Sequence, residues 1–285
     1  MSFFDMPDIP ETTFEHSETT LHARDNTTLF AQRWQPKETA GEVLVIPGYG
    51  DHSGRYHQLA HNLARHHIAT VAIDLRGHGK SVGRRGHISS LDDYHADVRA
   101  ALSLLGTGPR FLLGHSQGGV IALDYIARHA PELAGLVVTN PFLELAMPVP
   151  APKLWLGKVV GRIWPTLTMK NEIDPAYVSH DQAIIDAYAR DPLVFRVTTA
   201  RWFNEIVAAQ GRVRAIRELP IPLLYIYSDA DPIGKSSANE ALADQLAATD
   251  KTVWQREGEL HEVLNETDRA ELHDKIGTWL ASHAR

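Results

Sequence analysis

Six short apolar runs, bounded by turn residues and separated by stretches of helical periodicity, leave this chain few folds to choose from. They are Glu42 to Ile46, Ile68 to Ile73, Arg110 to Leu113, Leu136 to Thr139, Leu223 to Tyr227 and Thr252 to Gln255. A strand covered by helices on both sides has no solvent face, so it reads as a continuous apolar run rather than an alternating one. Between the runs, Tyr56 to His66 places Leu59 and Leu63 on one helical face, and Leu91 to Leu105 repeats apolar residues at helical spacing. Gln117 to His129 and Arg269 to Ser282 supply two further helices. Strands alternating with such helices predict an α/β fold with a mostly parallel central sheet flanked by helices. Upstream, Thr12 to His22 and Leu29 to Trp34, joined through Arg24-Asp25-Asn26-Thr27, predict a β-hairpin.

The rhythm breaks between Pro141 and Pro220. There helical patterns follow one another with no strand between them, punctuated by Pro148, Pro150, Pro152, Pro165 and Pro175. The expected division is a core over 1–140 and 220–285 with a helical lid or cap over 141–219, seated above the carboxyl ends of the strands. Open α/β sheets place their ligands at that edge.

The third run, Phe111-Leu112-Leu113, leads into Gly114-His115-Ser116-Gln117-Gly118-Gly119 and then a helix. A serine at a sharp strand-to-helix turn is exposed, beside unpaired helix N–H groups that favour negative charge. Such a serine needs a general base, and the base needs an orienting carboxylate, in the chain order Ser, Asp or Glu, His. After the fifth run comes Ser228-Asp229-Ala230-Asp231, and after the sixth Glu257-Gly258-Glu259-Leu260-His261. Ser116 as nucleophile, His261 as base and Asp231 as orienting acid fit that order; Asp229 is the rival acid. The oxyanion donors expected are the main-chain N–H groups of Gln117 and of Tyr49, in the turn Pro47-Gly48-Tyr49-Gly50. His57 and His61, four apart on a helix, read as a solvated polar face, and His78 and His115 as structural.

With no cysteine in 285 residues, disulfides, thiol catalysis and thiolate metal sites are excluded. A formal charge of −7 provides no basic stripe for nucleic acid. The opening residues lack a basic n-region and a sustained apolar h-region, and no apolar run reaches membrane-spanning length, so a cytoplasmic protein is expected. Neither metal nor organic cofactor is implied, and a monomer is the favoured state.

Four segments together resemble the monoacylglycerol lipase and lysophospholipase group of the α/β-hydrolase superfamily, over nearly the whole chain from about Leu29. They are Pro47-Gly48-Tyr49-Gly50-Asp51-His52-Ser53-Gly54-Arg55-Tyr56; Asp74 to Ser81 with Gly86-His87 and Asp93-Tyr94; the serine turn; and the Asp231 and His261 loops. The resemblance implies an α/β-hydrolase fold, a triad of Ser116, Asp231 and His261, and oxyanion donors at Tyr49 and Gln117. It departs from the family where Pro47-Gly48-Tyr49 replaces His-Gly and a small residue, and where Gln117 replaces a frequent Met.

Within the insertion, Trp155, Leu156, Val159, Val160, Ile163 and Trp164 form one apolar helical face opposite Lys158 and Arg162. Either this face packs on the core, or part of it meets acyl chains or a lipid surface. Trp155, Val159 and Ile163 are the candidate substrate contacts. A lipid-like monoester such as a monoacylglycerol or lysophospholipid is the expected small-molecule substrate, with membrane contact at most transient and peripheral. A second reading is an aminopeptidase-like enzyme in which Glu172, Asp174, Asp181, Asp186 or Glu205 recognises an amine. A third, a non-catalytic binding module of the same fold, predicts loss of a triad residue or elbow glycine, and none is lost.

Overall fold

The computed structural model describes residues 14–147, 159–170 and 173–284. β1 (Phe14–His22) and β2 (Thr28–Pro36) form the predicted antiparallel hairpin. β3 (Gly41–Ile46), α1 (His57–Ala64), β4 (Ile68–Asp74), α2 (Leu91–Leu102), β5 (Arg110–His115), α3 (Gln117–His129) and β6 (Gly135–Thr139) then alternate. The next stretch contributes β7 (Thr168–Lys170), α4 (Gln182–Arg190), β8 (Val197–Thr199), α5 (Ala200–Arg214) and β9 (Glu218–Leu219). Alternation resumes through β10 (Leu223–Ser228), α6 (Ser236–Gln245), β11 (Ala247–Ala248), β12 (Lys251–Arg256) and α7 (Arg269–His283).

Eight strands make one sheet in the order β1-β2-β4-β3-β5-β6-β10-β12, parallel from β4 to β12. Among the described residues between β6 and β10, none joins this sheet. The sequence predicts only helices in that stretch, but β7 and β8 pair antiparallel within it. Three-residue strands are too short to display a period of two, so their pattern was invisible among the helical ones.

The apolar runs of β3, β4, β5, β6 and β10 bury both faces of the sheet, whereas β12, at the sheet edge, alternates between exposed and half-buried residues. Along β3, Leu44 and Ile46 join the core layer under α2, α3 and α5, whereas Val43 and Val45 join the layer under α1 and α7. β10 divides in the same way, Tyr225 on the first side and Leu224 and Ile226 on the second. Because β3 connects to β4 on one side while β5 lies on its other side, the chain reverses direction across the sheet at β3. The loops leaving β3 and β5 therefore diverge, opening a crevice at their carboxyl ends.

Several histidines are part of the interior. His57 and His61 are not a solvated face: His57 Nδ1 accepts from the Trp34 indole at 3.0 Å, and the His61 ring meets Phe14 edge-on at 5.2 Å. The β1–β2 hairpin folds back over α1 and covers them, a contact between segments distant along the chain. Burial, the largest influence in each case, lowers His57, His78, His95, His115 and His273 from the ordinary 6.5 to about 4. These rings stay neutral in the fold but take up protons in the unfolded chain. Their stabilising contribution is whole above pH 6.5 and is lost as pH falls from there through about 4. The melting temperature is thus expected to fall steeply as pH drops between about 6.5 and 4. His273→Gln should flatten that acid limb in a differential scanning fluorimetry series, even while lowering stability at neutral pH.

Candidate active site

Ser116 lies between β5 and α3 at φ 52°, ψ −118°. A side chain on Gly118 would place its Cβ 2.0 Å from the Ile46 carbonyl oxygen, and one on Gly114 would come within 2.5 Å of the Gly118 oxygen. Only glycines allow β3, β5 and α3 to approach this closely, which is the physical content of the G-x-S-x-G string. The Ser116 N–H is held by Thr139 at 3.0 Å, and the Ser116 carbonyl accepts from Gly119 and Phe142, both at 3.0 Å.

The structure brings Ser116, His261 and Asp231 into one hydrogen-bonded line. His261 Nε2 is 2.8 Å from Ser116 Oγ, and His261 Nδ1 is 2.7 Å from Asp231 Oδ2. Asp231 Oδ1 accepts from the N–H groups of Ile233 at 2.8 Å and Gly234 at 2.9 Å, so the carboxylate cannot swing away. Burial favours the uncharged form of His261, but Asp231 outweighs it and raises its pKa. Burial likewise pushes Asp231 up, while His261 and the two backbone donors bring it below the ordinary carboxylate value. Asp229 is occupied elsewhere, accepting from the Gly258 N–H at 2.8 Å and the Gln255 amide at 3.3 Å. His115 holds Thr139 Oγ1 at 3.0 Å and is kept neutral by burial and by His261.

The two expected oxyanion donors flank the serine. Gln117 is the first residue of α3, so its N–H has no carbonyl a turn earlier to bond. A Cβ on Gly48, just before Tyr49, would lie 3.4 Å from Ser116 Cβ. The Tyr49 ring packs 4.2 Å from Trp202 and 5.3 Å from Phe195, and its hydroxyl donates to the Val197 carbonyl. The Gln117 side chain accepts from the Trp202 indole at 2.9 Å, tying α5 to the elbow.

A cavity of about 340 Å³ opens above Ser116. Most of its wall is apolar, from Tyr49, Phe142, Leu145, Trp202, Phe203 and Ile233. One side is polar, formed by Asp51, Arg55, Glu262 and Tyr188. Arg55 bridges the two carboxylates, at 2.9 and 2.5 Å to Glu262 and 3.0 Å to Asp51, and Tyr56 donates to Asp51 at 2.9 Å. Burial and Glu262 push the Tyr188 hydroxyl up to about 12, so it stays protonated. Sequence reasoning did not single out this polar wall, although Asp51 and Arg55 sit in a quoted string and Glu262 adjoins His261. Val159 is half-buried and Ile163 is 80% exposed, and neither lines the cavity; Trp155 lies outside the described residues.

Sheet, crevice and serine elbow define an α/β-hydrolase. The family model described as Serine aminopeptidase, S33 matches residues 37–268. A monoacylglycerol lipase of Mycolicibacterium smegmatis is 30% identical over 88% of this chain and 91% of its own length. An uncharacterized abhydrolase domain-containing protein of Dictyostelium discoideum is 34% identical over 93% of the chain, which spans 29% of that protein. The crystal structure of the Paleococcus ferrophilus monoacylglycerol lipase superposes with a TM-score of 0.83 at 30% identity, covering 90% of this chain and 99% of that one. The chain belongs to this family, in the monoacylglycerol lipase and lysophospholipase group of the α/β-hydrolase superfamily.

The two acids separate in a simple experiment. Asp231→Asn is expected to slow phosphonylation of Ser116 by a fluorophosphonate about 10³- to 10⁴-fold. Asp229→Asn should slow it less than about tenfold, since no triad contact is lost. Rates followed by intact-mass spectrometry decide between them.

Proposed function

We propose that this protein hydrolyses esters of an apolar acyl group with a small polar alcohol, monoacylglycerols or lysophospholipids, through an acyl-enzyme on Ser116. The observation that carries the reading is the Ser116–His261–Asp231 line at the floor of a cavity with one apolar and one polar wall. The Ser116 hydroxyl gives its proton to His261 Nε2 as Oγ attacks the ester carbonyl. The oxygen that becomes negative is met by the N–H groups of Tyr49 and Gln117, each such donor worth about 10²- to 10³-fold in rate. His261 then hands the proton to the departing alcohol. A water molecule, deprotonated by the same ring, releases the acid. Asp231 holds the imidazole in the required tautomer and stabilises its cation.

The apolar wall suits the acyl chain. On the polar wall both carboxylates are engaged by Arg55, and the Tyr188 hydroxyl keeps its proton, so this side offers hydrogen bonds to the hydroxyl groups of an alcohol. The acids considered for amine recognition have other partners. Asp174 caps a helical turn, Asp181 pairs with Arg269, Asp186 with Arg190, and Glu205 accepts from the Leu91 N–H; none of these four lines the cavity. Glu172 lies outside the described residues. Residues 141–219 serve as the cap over this cavity in our reading. Ile163 and Trp164 on it are 80% and 62% exposed, and with Arg162 beside them they suit transient contact with a lipid surface. Among the described residues no helix is long and apolar enough to cross a membrane.

A panel of glycerol monoesters, lysophospholipids and aminoacyl anilides tests this. Turnover of the esters, a single fluorophosphonate adduct on Ser116 and a loss of about 10⁴-fold or more in kcat for Ser116→Ala are expected. Faster turnover of the anilides, or no adduct on Ser116, overturns the reading.

A further inference from the structure

The loop carrying His261 is gripped both by the core and by the insertion. On the core side, Asn140 Nδ2 donates to the His261 carbonyl at 2.7 Å and the Leu260 carbonyl at 3.3 Å, while Asn140 Oδ1 accepts from the Ser228 N–H at 2.7 Å. The loop's N–H groups point the other way. That of His261 donates to the Tyr177 carbonyl at 3.2 Å and that of Glu262 to the Val178 carbonyl at 2.8 Å. Both acceptors belong to the insertion.

The next three residues of the insertion continue along the same loop. Ser179 Oγ donates to the Asn265 carbonyl at 2.8 Å, and the His180 N–H donates to Glu266 at 3.1 Å. The Arg269 guanidinium pairs with Asp181 at 2.8 Å. Glu266 joins the two segments. Its carboxylate, 1% exposed, also accepts from the Leu260 N–H at 2.8 Å, one residue before His261, and meets His180 Nδ1 at 3.0 Å. Four consecutive insertion residues are thus sewn to the loop that carries the base and a fifth to the first residue of α7, and Glu266 does not line the cavity.

We propose that Tyr177 to Asp181 form a strap that positions His261, and that Glu266 is the positioning residue fastening strap to loop. The inference rests on reading His261 as the general base. The two contacts of its ring, at 2.7 and 2.8 Å, have little tolerance. A misplacement of about 1 Å at a reacting group costs on the order of 10²-fold in rate. The insertion is then more than a cover for the cavity, since one of its segments completes the catalytic geometry. It is needed even for a small, freely diffusing ester that makes no use of an apolar roof.

The test uses full-length protein and a short-chain water-soluble p-nitrophenyl ester. Glu266→Ala should lower kcat per folded molecule by about 10- to 100-fold with KM within about twofold of wild type. Amide hydrogen exchange at Leu260, His261 and Glu262 should quicken. Because Asp231 is what raises the pKa of His261, a looser contact should also move the acid limb of the kcat/KM profile to lower pH. Glu266→Gln, which keeps an acceptor for Leu260, should recover most of the rate. Should the alanine variant not fold, Ser179→Ala carries the same expectations in milder form. Folded variants with wild-type kcat, acid limb and exchange overturn the strap alone. A wild type with neither turnover nor an adduct on Ser116 overturns the hydrolase reading instead.

Discussion

Ser116 is held at φ 52°, and the crowding of three chain segments around that one residue is the constraint on which the rest of the site depends. The end of β3 approaches Gly118, the end of β5 supplies the serine, and Pro141, just after β6, stands 2.9 Å from where a Cβ on Gly119 would be. A non-glycine residue in this conformation costs about 1–3 kcal/mol and persists only where its surroundings leave it no alternative. Here α3 is buried along most of its length and carries the elbow with it. The same crowding brings the start of α3 and the turn after β3 up to Ser116, so the serine and the oxyanion donors we propose are located by a single packing event.

Around this point the site is assembled from buried polar contacts more than from apolar packing. Asp51, Arg55 and Glu262 form a buried ionic group that links the turn after β3 to the His261 loop. Burying three charges is costly, and such a group is tolerable because the guanidinium and carboxylates satisfy one another with added hydrogen bonds. Its consequence is geometric: directional contacts fix register where apolar surfaces would allow sliding. The insertion is attached in the same manner, through Trp202 to Gln117, His52 to Asp191 at 2.9 Å and the strap along His261.

The core strands and their flanking helices were legible because period and turn chemistry are local properties. Each of the six apolar runs became a strand of the main sheet, displaced by at most one or two residues at its ends. α6 was not legible: its buried residues are only Asn239, Leu242 and Ala243, too few to mark an apolar face. The meeting of Ser116, Asp231 and His261 was readable because strand ends of a parallel sheet share one edge, so loops far apart in sequence are brought together by topology alone. Asp231 and Asp229 differ by two positions along one loop, and their separate partners appear only when the neighbouring loops are in place.

What the sequence by itself determined is therefore the sheet, the elbow at Ser116 and the loops of Asp231 and His261, all written in local pattern and chain order. Only the tertiary structure decided which insertion residues face the cavity. Trp202 and Phe203 line it whereas Ile163 and Trp164 face outward, although both pairs lie in helical, amphipathic sequence. Helical periodicity says that a face seeks burial, not what will cover it. The polar wall was hidden for the same reason, since Arg55 and Glu262 stand 207 residues apart and meet only through the fold.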